Sequence, residues 1–237
     1  SGETLLSLVN DILDLSKIEA DAVTLEREIF NLHEVGFAVM KSMAIQAHVK
    51  KLELLCSIRS GVPEFIFADR IRLQQVLINL IGNAIKFTEK GEVELMIEAV
   101  PDSGTRPELK FTIRDTGIGI ANENHKTIFS EFEQADTSTT RQFGGTGLGL
   151  SIVSKLVKMM NGTVKINSEL GSGSVFSFSI PEAHYGIDDD HGLPHLDELL
   201  SLYEVGEDGM ESSLKGMSVM LVDGNLRHQE IFCDCLT

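Results

Sequence analysis

The chain has 237 residues, 42% of them apolar and 24% charged, and a formal net charge of −16. That length predicts one or two domains, and the composition excludes collagen-like, disulfide-scaffold and fully disordered classes. No apolar run reaches the roughly 18 residues of a membrane span, no signal-peptide pattern opens the chain, and the acidic balance argues against nucleic acid as a general partner.

The charge is uneven. Residues 1–181 carry 18 Lys/Arg and 23 Asp/Glu, a net of −5, whereas residues 182–237 carry 2 and 13, a net of −11. The chain therefore has at least two compositional parts. Its three cysteines, two of them Cys233 and Cys235, make no disulfide framework.

The first 20 residues read as a helix. Leu5, Leu8, Ile12 and Leu15 repeat at 3-4-3 spacing, and Leu6, Val9 and Leu13 widen the apolar face to that of a bundle helix. Residues 23–30 suggest a strand, 32–49 a helix, and 52–58 a second strand before a loop marked by Gly61 and Pro63. Residues 68–88 predict a strong helix with Ile71, Val76, Leu80 and Ile85 on one side. Gly91 restarts the chain as a strand, and residues 109–115 form its hairpin partner. A short helix holds Ile128, Phe129 and Phe132, and a polar Ser/Thr-rich loop follows from Ala135 to Gly145. The next helix is stopped by Gly162, and two strands around a Gly-Ser-Gly turn close the unit. Strands and helices alternate irregularly with two hairpins. That predicts an α+β sandwich, with helices on one face of a mixed, mostly antiparallel sheet.

Residues 182–215, with ten acidic residues and one Lys, read as a linker. From Lys215 the pattern changes to an apolar strand and the opening of an amphipathic helix.

Three clusters carry the chemistry. Asn79, Asn83 and Lys86 are spaced by four and three, which places them on one helix face. A neutral amide oxygen suits Mg²⁺ already neutralised by phosphates, since Mg²⁺ takes oxygen ligands and keeps waters; read alone, the pattern is equally an ordinary polar face. Asp115 ends a strand and enters a turn with Gly117 and Gly119. There the backbone can approach a flat ligand, and a carboxylate can accept from an exocyclic amine; an ordinary Asp-Thr-Gly turn has the same residues. Gly144, Gly145, Gly147 and Gly149 precede a helix whose free N–H groups make an anion site, against the plainer reading of a glycine hinge. Neither a Walker A lysine motif nor a serine/threonine kinase catalytic loop occurs.

In this order and spacing, with the intervening FSEFEQAD, the clusters resemble the catalytic ATP-binding domain of hybrid sensor histidine kinases, from about Gly2 to Pro181. The resemblance implies a two-layer sandwich of the Bergerat type, with ATP and Mg²⁺ as cofactors. It implies Asn83 as the metal ligand with Asn79 beside it, and Lys86 reaching phosphate, so that Asn79 and Lys86 serve catalysis. It makes Asp115 the acceptor of the adenine amine, with Gly117 and Gly119 as its backing turn. Phe129 and Phe132 pack beneath a lid of residues 134–146, and Gly145, Thr146, Gly147, Leu148 and Gly149 form its phosphate-facing end.

In the wider superfamily a Glu sits four residues before the metal Asn and activates water. Here that position is Asn79. An amide is no general base, which favours phosphoryl transfer over hydrolysis. The expected acceptor is a His on an upstream helix that these residues lack; residues 1–21 are similar to the second helix of that hairpin. His33, His48, His125 and His228 read as surface or partly packed side chains.

The implied organisation is a partial hairpin (1–21), the ATP-binding domain (22–181), a linker (182–215) and a receiver-like start (216–237), a kinase core shortened at both ends. The receiver likeness is imperfect, because Asp223 is followed by Gly224 where two acids are usual. Implied partners are the phosphoacceptor helix, a receiver or response regulator, and a second protomer in a homodimer, with a cytoplasmic location. A superfamily ATPase driving dimer closure and a nucleotide-sensing pseudokinase are the alternatives. His191, His195 and Glu198 are split by Pro194, so they need not share a face as metal ligands.

Overall fold

The computed structural model describes residues 24–100, 108–130, 147–181 and 219–223, together with Leu13, Ser16 and Ile18, which are helical. β1 (Glu28–Asn31) runs directly into α1 (Leu32–Val49). β2 (Glu53–Ile58) and β3 (Phe65–Ala68) follow, then α2 (Arg70–Phe87). A hairpin of β4 (Glu92–Val100) and β5 (Glu108–Asp115) leads to two single 3-10 turns, Asn122–Asn124 and Thr127–Phe129. α3 (Gly149–Met159), β6 (Thr163–Ser168) and β7 (Ser174–Pro181) complete the unit.

The main sheet has the order β6-β7-β5-β4-β2, antiparallel except where β2 runs parallel to β4. At its β2 edge it takes up β8 (Val219–Asp223), parallel, with Leu54 opposite Val219 and Ile58 opposite Asp223. The strand expected after Lys215 is therefore present, and it pairs with this sheet. β1 and β3 form a separate antiparallel pair.

Strand alternation decides the layers. Val93, Leu95 and Ile97 of β4 and Leu109, Phe111 and Ile113 of β5 are all within 1% of full burial, and they join Phe176, Phe178 and Ile180 of β7 in the core. Phe111 and Phe178 stack with ring centroids 4.6 Å apart. The alternate positions carry charge: Lys110 pairs with Glu98, and Arg114 with Glu92 and Glu94. One face is thus apolar and packs against the helices, while the other is polar.

α2 lies between α1 and α3. Its buried stripe is Leu73, Val76, Leu77, Leu80, Ile81, Ala84 and Ile85. Ile71, expected on that side, is 63% exposed; five residues before Val76, it stands about 140° away around the helix. Asp69 caps α2, one carboxylate oxygen accepting from Arg72 N–H and the other from Glu26 N–H, both at 3.0 Å. The carboxylate thereby ties the segment before β1 to the start of the helix.

Several local expectations are corrected. The first strand covers only its last residues, and β3 was not foreseen, because FIFA is too short to show a period. The helix expected around Ile128 is a pair of 3-10 turns, and Phe132 lies outside the described residues. α3 is terminated two residues beyond Met159 by Asn161, whose φ is +58°. The N–H groups of Asn161 and Gly162 bond to Lys158 O and Val157 O at 3.0 and 2.8 Å, the paired bonds of a left-handed helix terminator. His33 is buried rather than superficial, whereas His48 is exposed.

α1 ends in the same way at Lys51, with φ +58°. The N–H groups of Lys51 and Leu52 bond to His48 O and Ala47 O at 2.9 and 3.0 Å. A side chain is disfavoured in that conformation. Lys51→Gly is expected to stabilise the protein by about 0.5–1 kcal/mol, relief of the left-handed strain exceeding the added chain entropy. An unchanged urea midpoint would refute this.

Candidate functional site

The core-facing positions of β5 are Leu109, Phe111 and Ile113, and the next in that series is Asp115. Its neighbour in register on β7 is Ser174, which is also opposite Ser168 of β6. At this end of the sheet the inner face therefore changes from apolar side chains to a carboxylate and two hydroxyls, all below 8% exposure. Burial raises the Asp115 pKa above the ordinary value. The Gly117 N–H, and the N–H and hydroxyl of Ser174, donate to it and pull the other way. The Gly117 N–H to Asp115 Oδ1 distance is 2.8 Å.

The turn after Asp115 is held against two other segments. A Cβ on Gly117 would stand 2.5 Å from Phe87 O and 2.9 Å from Thr88 Oγ1, and one on Gly119 would stand 1.9 Å from Glu169 O. Ile118 N–H bonds to Phe87 O at 3.3 Å, and Gly171 N–H to Ile118 O at 2.6 Å. The turn is thus clamped between the end of α2 and the β6–β7 hairpin.

The asparagine face of α2 meets the start of α3. A Cβ on Gly149 would lie 3.3 Å from Asn79 Oδ1 and 4.0 Å from the Asn83 amide nitrogen, so the helix backbone approaches both amides closely. α3 begins after Leu148, which offers no side-chain cap to the first N–H groups; such a helix start favours an anion. Gly147 precedes it with φ +71°. Leu148 itself is 1% exposed, and its side chain belongs to the core. Lys86 is half-buried. Its Nζ lies 4.7 Å from the centre of the Phe87 ring, and burial lowers its pKa. Phe129 packs edge-on against Phe176, with centroids 6.4 Å apart.

The structure thus brings Asn79, Asn83 and Gly149 together, and separately Asp115, Gly117 and Gly119. α2 connects the two groups, its asparagines facing α3 and its C-terminal end meeting the turn. Phe132, Gly145 and Thr146 lie outside the described residues. The sequence reading overlooked Ser174, Ser168 and Thr88. Ser168 accepts from Ile120 N–H and donates to Gly173 O, both at 2.8 Å. The signal for Ser168 and Ser174 is polarity at core-facing strand ends, and for Thr88 a hydroxyl at the helix C-cap.

Among the described residues no three His, Cys, Asp or Glu side chains form a group able to hold a metal. Neutral amide oxygens at Asn79 and Asn83 instead fit a cation whose charge is met mainly by a ligand's phosphates.

The fold is an α/β sandwich, three helices covering one face of a mixed sheet. Residues 68–184 match the family described as histidine kinase-, DNA gyrase B-, and HSP90-like ATPase. The chain is 44% identical over 180 residues to the signal transduction histidine-protein kinase BarA of Escherichia coli, covering 76% of this chain and 20% of BarA. It is 39% identical over 206 residues to hybrid signal transduction histidine kinase B of Dictyostelium discoideum, covering 87% and 10%. Among solved structures, full-length ShkA in complex with AMPPNP superposes with a TM-score of 0.69 at 39% identity, over 78% of this chain and 37% of that one. The catalytic domain of the histidine kinase ThkA gives 0.55 at 31% identity, over 67% and 97%. The chain belongs to the histidine kinase family and carries its ATPase domain. It spans about a fifth of BarA and a tenth of the Dictyostelium kinase.

Proposed function

We propose that this chain binds ATP with Mg²⁺ and passes the γ-phosphoryl to a histidine, as the catalytic part of a hybrid sensor kinase in two-component signalling. The observation that carries this is the approach of Gly149 to Asn79 and Asn83, with Asp115 beyond the far end of the same helix. Asp115 would accept from the adenine amine, and Gly117 and Gly119 would let the base lie against backbone. Asn83, with Asn79 beside it, would hold the metal, whose bound charge offsets that of the phosphates. Lys86 and the start of α3, with Gly147 and Gly149, would meet the phosphate oxygens. A phosphate beside Lys86 opposes the effect of burial and favours its charged form.

Position 79 carries an amide and not a carboxylate, so it cannot serve as the general base that water attack requires. Catalysis would rest on positioning and charge. A histidine nitrogen attacks the γ-phosphorus, the bond to the β-phosphate oxygen breaks, and ADP leaves. Residues 1–21 would be one helix of the acceptor hairpin, 22–181 the ATP-binding unit, 182–215 a linker and 216–237 a receiver-like start. The partners would be the acceptor helix, a second protomer and a receiver. No helix among the described residues is long and apolar enough to cross a membrane; a cytoplasmic location is part of the proposal.

Calorimetry with AMPPNP tests the binding. Affinity should rise with Mg²⁺ in the wild type, and Asn83→Ala should lose most of that rise, about tenfold. An equal Mg²⁺ dependence in both would remove Asn83 as the ligand. Supplying the acceptor hairpin should give acid-labile phosphohistidine, whereas steady phosphate release without it would favour an ATPase.

A further inference from the structure

A helix leaves its last four carbonyls without partners inside the helix. In α2 these belong to residues 84–87, and all four are met. Ala84 O accepts the Thr88 N–H at 3.1 Å and the Thr88 hydroxyl at 2.7 Å. Phe87 O accepts the Ile118 N–H of the glycine turn at 3.3 Å. The two between them, Ile85 O and Lys86 O, accept from the Nζ of Lys50 at 2.8 and 2.7 Å, and Thr88 O lies 3.3 Å from the same nitrogen.

Lys50 is the C-cap of α1, some 35 residues earlier in the chain. An ammonium has three hydrogens and no acceptor, and these three carbonyls offer one acceptor for each. A cation at a helix C-terminus also complements the helix dipole. The left-handed turn at Lys51 fixes how the chain leaves α1, directly beside this side chain.

The carbonyls that Lys50 gathers flank functional groups. Lys86 and Phe87 lie between them, Phe87 O receives the turn that follows Asp115, and the Thr88 hydroxyl lies against Gly117. We propose that Lys50 is a positioning residue of the nucleotide site: it fixes the last turn of α2, and with it Lys86 and the seat of the Asp115 turn, without touching the ligand. This rests on the nucleotide-binding reading given above.

The test is nucleotide affinity and amide exchange in the full chain, both measured well below the melting temperature. Lys50→Met should weaken AMPPNP·Mg²⁺ binding about tenfold and speed exchange of the Ile118 amide in the nucleotide-free protein. A role in stability alone would lower the melting temperature and leave the dissociation constant unchanged. Lys50→Arg should recover only part of the affinity, because a planar guanidinium cannot converge on three carbonyls as a point charge does. If Lys50→Met does not fold, Lys50→Gln, neutral but still a donor, should show the same two effects more weakly. Affinity within twofold of wild type in a folded Met or Gln variant overturns the inference. A wild-type chain that fails to bind AMPPNP removes the nucleotide reading itself, whereas a wild type that binds, with a variant that binds equally, removes this inference alone.

Discussion

Asp115→Asn is expected to weaken ATP binding by roughly a hundredfold while leaving the fold intact. The carboxylate only accepts hydrogen bonds, and three donors already converge on it: the Gly117 N–H, the Ser174 N–H and the Ser174 hydroxyl. An amide in its place presents two hydrogens to a site built of donors, and to an adenine amine that is also a donor. The loss of one charge-assisted bond with a mispaired donor amounts to about 3 kcal/mol. The nucleotide-free protein should respond differently. Burial holds the Asp115 pKa above its ordinary value, so folding favours its protonated form. Its contribution to stability is full below the unfolded pKa and is lost as pH rises through the folded one. At neutral pH the Asn variant should therefore be no less stable than wild type. The same shift predicts that wild-type affinity falls as pH drops through the raised pKa, since a protonated carboxyl accepts poorly. Calorimetry across pH, with unfolding curves for both proteins, checks each part; unchanged affinity in the variant would remove Asp115 from the adenine site.

Gly119→Ala should be the most damaging of the glycine substitutions in this turn. Gly119 has φ +68°, a conformation that costs a side chain about 1–2 kcal/mol. A Cβ there would also stand 1.9 Å from Glu169 O and 3.2 Å from Gly173 O. Both obstacles are backbone, so relief requires moving the β6–β7 hairpin. That hairpin carries Ser168 and Ser174, which hold the turn and Asp115. The expected result is a loss of about 3 kcal/mol or more in stability, with nucleotide binding lost in whatever remains folded. Gly171 provides the comparison: its φ is +85°, but nothing lies within 4 Å of an added Cβ. Gly171→Ala should cost only the conformational part, about 1–2 kcal/mol. Equal urea midpoints for the two variants would show that the close approach of the backbones is unimportant.

Much of the sandwich could be read from residue patterns. α1 and α2 fall within two residues of the expected spans, and β4, β5 and β7 follow their alternation, because each element buries one periodic face. β3 was missed because four residues show no period. The end of α3 was placed at Gly162 on composition, whereas the residue that turns left-handed is Asn161. Ile71 is expected on the same side of its helix as Val76, Leu80 and Ile85, but its angle on the helix exposes it.

The local order of the chain was enough to put Asn79, Asn83 and Lys86 on one helix, to place Asp115 at a strand end before glycines, and to start a helix at the end of the glycine run. These features are set by spacing within one element. Spacing says nothing of what lies opposite. That Gly149 meets Asn79, that Ser174 and Gly117 crowd Asp115, and that Lys50 reaches across to the carbonyls of α2 depend on strand register and helix packing. Those contacts join residues far apart in the chain, and they form only because burying the apolar face of the sheet beneath three helices leaves each element one position to occupy.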